Sequence, residues 1–246
     1  MKLILQDFKQ YSVDKEKLQT LTLLDRYFYR PLAIHLLPLF YNVFRLTPNK
    51  ISIVSMFIFV IGSIFVIFGH SKSIVIIGSL FFIVFMIFDC ADGSLARTLF
   101  YKKQIINPLG EFFDAFAGYL VISLLWTSLG YYLTNLYDDI IWFILGAISS
   151  FMSLYSRTAY LKLSLVKSQK QLEDGTDKRV RQGALLKLYK NLDWGGFLLI
   201  IIPFSIYYDF LHYILILMML VSFAMLLWTF MFIYKQSILF SINFKQ

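Results

Sequence analysis

Between residues 51 and 69 the chain reads ISIVSMFIFVIGSIFVIFG, with no charged side chain anywhere in the run. A helix rises about 1.5 Å per residue, so a run of this length crosses the roughly 30 Å hydrocarbon core of a bilayer. Comparable runs occupy 74–95, 109–133, 139–163, 195–208 and 211–234, the fifth being short unless it begins near Asn191. A chain with so many such runs cannot hide them in one water-facing core. The reading is an all-α integral membrane protein with about six transmembrane helices. A membrane β-barrel is excluded, because the runs are continuous and rich in Leu, Ile and Phe, without the alternation a barrel needs. Composition agrees, with 59% hydrophobic residues, 15% charged residues and a mean hydropathy of +0.68.

Several other classes drop out. The opening MKLILQDFKQ has too short an apolar stretch for a secretory signal, so the N-terminus is expected to be retained. A lone Cys90 excludes an internal disulfide framework and a cysteine-rich metal site. The net charge of +8 accompanies no stacking module, and in a membrane protein it reports topology rather than nucleic-acid binding.

The stretch PLAIHLLPLFYNVF (31–44) is apolar but too short to span and contains Pro38, which predicts an amphipathic helix lying in the interface. TPNK follows, with Pro48 setting the backbone and Asn49 placed to cap the first span. Lys and Arg then sort by side. They precede the first span, follow the second at Arg97, Lys102 and Lys103, crowd 167–190, and follow the last at Lys235. The opposite loops, 70–73, 131–139 and 207–212, are poor in them. Six spans with both termini in the cytoplasm satisfy the positive-inside rule. We read one membrane domain over 1–246, with 1–47 a cytoplasmic or interfacial segment and 48–246 the six-helix core.

Against this background FDCADGSLAR (88–97) places two aspartates and an arginine at the cytoplasmic end of the second span. Residues three and four apart share a helix face, so Asp89 and Asp92 are neighbours, Gly93 lies over Asp89 and Ala96 over Asp92. In the next span Gly110, Asp114 and Gly118 are spaced by four. Antiparallel helices on a short loop bring three carboxylates towards one another just inside the boundary, beside small residues. A carboxylate near hydrocarbon costs about 2.5–3.5 kcal/mol on insertion scales, so the group calls for partners. Hard oxygens suit Mg2+ or Mn2+. A structural cluster paired with Arg97 is the plainer alternative.

DCADGSLAR followed by GEFFD resembles the signature of the CDP-alcohol phosphotransferase (CDP-alcohol phosphatidyltransferase) family: D-x-x-D-G-x-x-A-R, a spacer, then G-x-x-x-D-x-x-x-D. Asp89, Asp92, Gly93, Ala96, Arg97, Gly110 and Asp114 match position by position. TPNKISIVS resembles the family's segment entering its first span, which makes Asn49 a candidate nucleotide contact as well as a cap. SLYSRTAY resembles the Tyr-x-Arg stretch late in the fourth. Two departures stand out. The spacer between Arg97 and Gly110 is longer than usual, and the last aspartate of the motif is Gly118 here. Glu111, one turn before Asp114 on the same face, is the candidate substitute.

The resemblance implies transfer of a substituted phosphate group, often phosphatidyl from CDP-diacylglycerol, to a second alcohol with release of CMP. Asp89, Asp92 and Asp114 would hold Mg2+ or Mn2+, and Arg97 would pair with phosphate. Gly93 and Ala96 would let the nucleotide approach the backbone. Arg157, with Arg179 and Arg181, would form a pocket for a phosphorylated acceptor, or else carry solvated positive-inside charge. The resemblance also implies a homodimer. Two other classes compete. An intramembrane prenyltransferase would show a second aspartate-rich motif, and none stands in 119–246. A nucleotide- or lipid-binding membrane protein with impaired catalysis takes its support from Gly118.

Overall fold

The computed structural model describes residues 3–12, 21–174 and 196–243, with side chains undescribed at 164–174 and 236–243. Among the described residues every regular element is helical. A short α1 (Leu5–Tyr11) comes first. Next comes α2 (Arg30–Pro38), flanked by π-helical turns at Asp25–Tyr29 and Leu39–Val43, and then α3 (Pro48–Phe68), α4 (Lys72–Lys103) and α5 (Gly110–Tyr137). The last three are α6 (Ile141–Asp174), α7 (Leu198–Tyr207) and α8 (Leu211–Asn243). Four stretches are long and apolar enough to cross a membrane: α3, α4, α5 and the Leu211–Lys235 part of α8.

The remaining two expected runs are helical as well. In α6 the hydropathy is diluted by Ser149, Ser150, Ser153, Ser156 and Arg157. The ten residues of α7 reach only about 15 Å.

The chain falls into two compact units, 1–121 with 182–209, and 122–181 with 210–246. In the first, α3 and α4 form an antiparallel pair that crosses at Gly62 and Gly78. A Cβ on Gly62 would stand 2.8 Å from the Gly78 carbonyl oxygen, and one on Gly78 would stand 2.8 Å from that of Gly62. Only hydrogen at both positions allows backbones so close, the usual device where no solvent drives helices together. Beside the crossing Phe59 stacks on Phe82, with ring centroids 4.5 Å apart, and meets Phe85 edge-on at 5.2 Å. Lys72 and Asp209, 2.6 Å apart, join the start of α4 to the end of α7.

The helical stretch around α2 buries Tyr29, Ala33, Leu37 and Phe40 in a stripe along one face. Phe40 meets Phe88 of α4 with centroids 4.8 Å apart. Pro38 lacks an N–H, and the wide turn after it closes instead through Phe44 N–H to the Leu39 carbonyl. Tyr27, Phe28, Leu32, Leu39, Val43 and Phe44 stay exposed. The buried side also takes in polar groups. Arg30 donates to Ser94 Oγ at 3.4 Å, and Cys90 Sγ lies 3.7 Å from Asp25 Oδ1. Burial raises the Asp25 carboxyl above its ordinary value, and the Arg30 charge opposes the rise.

In the second unit Gly130 and Gly146 make a similar close approach, a Cβ on Gly130 reaching 3.1 Å from Gly146 Cα. Hydroxyls join its helices: Ser149 and Ser153 lie 3.2 and 2.8 Å from Ser222, and Thr127 donates to Ser150 at 3.1 Å.

Candidate functional site

Helix α4 has 32 residues and measures about 48 Å, more than a bilayer core requires. Asp92 stands twenty positions after Lys72, about 30 Å along the axis, a distance equal to the thickness of a bilayer's hydrocarbon core. Beyond Asp92 the helix carries Arg97, Lys102 and Lys103 and stops at Gln104, in the left-handed conformation with φ 56°.

Asp92 is half-buried, and its Oδ2 accepts the Ser52 hydroxyl at 2.5 Å. Ser52 is itself buried, 5% exposed, in the second turn of α3, and its oxygen also lies 3.2 Å from the Pro48 carbonyl. One hydroxyl proton cannot serve both acceptors, and the contact to Asp92 is the shorter of the two. Asp114 and Arg97 both lie close enough to Asp92 for their charges to act on it. Asp89 is half-buried one turn earlier on α4, and Asp114 is exposed on α5.

Asn49 is not the cap of α3. Thr47 holds that position and Asn49 is the second helical residue, because Pro48 already supplies the pre-set first turn. Its side-chain Oδ1 accepts from Asn107 Nδ2 at 2.7 Å, bridging α3 to the loop before α5. The same Asn107 amide lies against Gly110, where a Cβ would come within 2.9 Å of Nδ2. Gly110 therefore makes room for a side chain of this protein.

Gly93 is likewise covered from within. The Arg97 guanidinium folds back over it, with Nη1 3.4 Å and Nη2 3.5 Å from where a Cβ would be. Arg97 Nε donates to the Ser12 carbonyl at 2.6 Å. Ala96 is half-buried beside it, Gly118 is buried, and Glu111 is exposed in the first turn of α5. Arg157 is half-buried on α6 in the second unit, and Arg179 and Arg181 lie outside the described residues.

The structure thus draws Asp92, Asp114 and Arg97 together electrostatically and adds two residues that the motif does not contain, Ser52 and Asn107. Ser52 had no distinguishing signal, being one of three serines on α3. Asn107 had none, because a long-range loop contact has no period. The oxygens around Asp92 suit a hard divalent cation, although no three His, Cys, Asp or Glu among the described residues are gathered closely enough to enclose one. Carboxylates brought that close repel one another, and Asp92 is satisfied instead by a hydroxyl donor.

A family model described as CDP-alcohol phosphatidyltransferase matches residues 45–186, which include α3, α4, both halves of the aspartate motif and Arg157. A comparison with curated proteins finds no match.

Proposed function

Since the chain belongs to the CDP-alcohol phosphatidyltransferase family, transferases that move a phosphate-linked alcohol from a CDP-alcohol to an acceptor alcohol, we propose that it transfers a phosphatidyl group from CDP-diacylglycerol or a similar donor, releasing CMP, in phospholipid synthesis. The observation that carries this reading is the match of Asp89, Asp92, Gly93, Ala96, Arg97, Gly110 and Asp114 to the family signature, inside the matched segment.

In this proposal Asp89, Asp92 and Asp114 hold Mg2+ or Mn2+, which when bound neutralises pyrophosphate charge and stabilises the leaving phosphate. Ser52 orients Asp92. Arg97 presents its guanidinium fork to phosphate. Gly93 and Ala96 let the nucleotide approach the backbone, Gly110 gives room to Asn107, and Asn49, tied to Asn107, is the candidate nucleotide contact at the entrance to the first span. With Gly118 in place of a fourth carboxylate, Glu111 is the candidate to accept the acceptor's hydroxyl proton. Arg157, Arg179 and Arg181 attract a phosphorylated acceptor. Six spans, both termini and the site on the cytoplasmic side of the cell membrane, and a homodimer complete the proposal.

Purified protein given CDP-diacylglycerol and other CDP-alcohols, with a panel of acceptors, is expected to release CMP only with Mg2+ or Mn2+. The variant Asp92→Asn is expected to lose that release. One observation favours a second reading, a nucleotide-binding protein without turnover: the motif's last carboxylate is replaced by a buried glycine. Nucleotide binding with no CMP from any donor, and recovery in Gly118→Asp, would establish it.

A further inference from the structure

The segment before α2 does more than fill space beside the site. Asp7 on α1 and Lys102 on α4 form an ion pair. Lys102 also lies over the Tyr11 ring, 5.9 Å from its centroid, and Tyr11 stacks with Tyr101 at 6.2 Å. Leu3 and Phe8 are buried, 1% and 0% exposed. Leu3 exchanges both backbone groups with the Asn42 amide, at 3.2 Å to Oδ1 and 2.7 Å from Nδ2. The segment so anchored carries Ser12, whose carbonyl accepts Arg97 Nε at 2.6 Å while the guanidinium lies over Gly93.

We propose that α1 and Ser12 are a positioning element for Arg97, setting the angle at which its guanidinium meets the donor's phosphate. The inference rests on the assignment of Arg97 to phosphate in the proposed function. A long side chain has about four rotatable bonds, and each fixed contact narrows the directions its fork can face. The main-chain acceptor at Ser12 holds the Nε edge, so a shift in where α1 docks turns the Nη edge with it. Charge at Asp7, on the helix that leads to Ser12 and paired with Lys102 at the end of α4, therefore controls a phosphate contact it never touches.

The test is a charge-reversal cycle read by CDP binding in the presence of Mn2+, without turnover, on the full chain in detergent or nanodiscs. Asp7→Lys is expected to weaken CDP binding about tenfold, and Asp7→Lys with Lys102→Asp to restore most of it. In Arg97→Lys protein, whose side chain has no Nε edge, Asp7→Lys is expected to have no further effect. CDP affinity that is unchanged or tighter in Asp7→Lys overturns the proposal, as does an equal loss in the Arg97→Lys background, which would mark α1 as structural support only. Wild-type protein that binds no CDP would instead sink the functional reading on which the inference stands. Thermal unfolding of each variant, measured alongside, separates lost docking from lost folding.

Discussion

At the scale of single residues the site depends on who donates to Asp92. The Ser52 hydroxyl stands 2.5 Å from its Oδ2, and a hydrogen bond of this kind contributes about 0.5–1.5 kcal/mol. Ser52→Ala leaves a half-buried carboxylate oxygen without that donor. We expect Mn2+ affinity, followed by electron paramagnetic resonance, to fall about tenfold. Ser52→Thr, which keeps the hydroxyl, should retain it. Equal affinities in wild type and Ser52→Ala would mean that Asp92 is oriented by something else. The aspartates, Arg97 and the small residues beside them were legible in the sequence, because charge inside an apolar run stands out and helical spacing puts it on one face. Ser52 and Asn107 were not, because a serine and an asparagine near a span's end are ordinary until their partners forty and fifty-eight positions away are known.

At the scale of helices two contacts set where that face sits. The first is the glycine crossing of α3 and α4. Gly62→Val would drive a side chain into the Gly78 carbonyl and Phe81, each 2.8 Å from the added Cβ. Overpacking of this kind costs about 1–3 kcal/mol, so a lower unfolding temperature in detergent is expected, with Asp92 displaced from Ser52. An unchanged midpoint would show that the pair can separate at no cost. The second is the docking of α1, which depends on pH. The hydrogen bond and charge of Lys102 hold the Asp7 carboxyl below its ordinary 3.8. A depressed carboxylate stabilises the folded state above its unfolded value and loses that contribution as pH falls through the lower, folded one. Protection of the amides over residues 5–11, taken relative to their intrinsic exchange rates, should therefore stay high at about pH 5 and fall as pH drops below about 3.8. Protection that is unchanged in acid would remove the ion pair from the account of how α1 docks.

For the whole molecule the basic residues assign sides, and the assignment can be measured. Ser73→Cys and Ile106→Cys, both exposed and at opposite ends of the α4 region, should be labelled by an impermeant thiol reagent in opposite ways. We expect Ser73→Cys to react in intact cells and Ile106→Cys only after permeabilisation, the buried Cys90 staying silent. Labelling of both from outside would overturn the proposed orientation. Long apolar runs left no alternative to membrane helices, because a backbone in lipid must satisfy its own hydrogen bonds, and motif spacing announced the family because helical periodicity converts spacing into a shared face. Those two properties are local, and the sequence determined them unaided. Tertiary structure alone decided that Asn49 bonds a loop amide instead of capping a helix, that Gly93 lies beneath a guanidinium, and that the segment from Leu3 to Ser12 reaches Arg97. Each of those depends on groups distant in the chain arriving within about 3 Å, and no period or composition encodes that meeting.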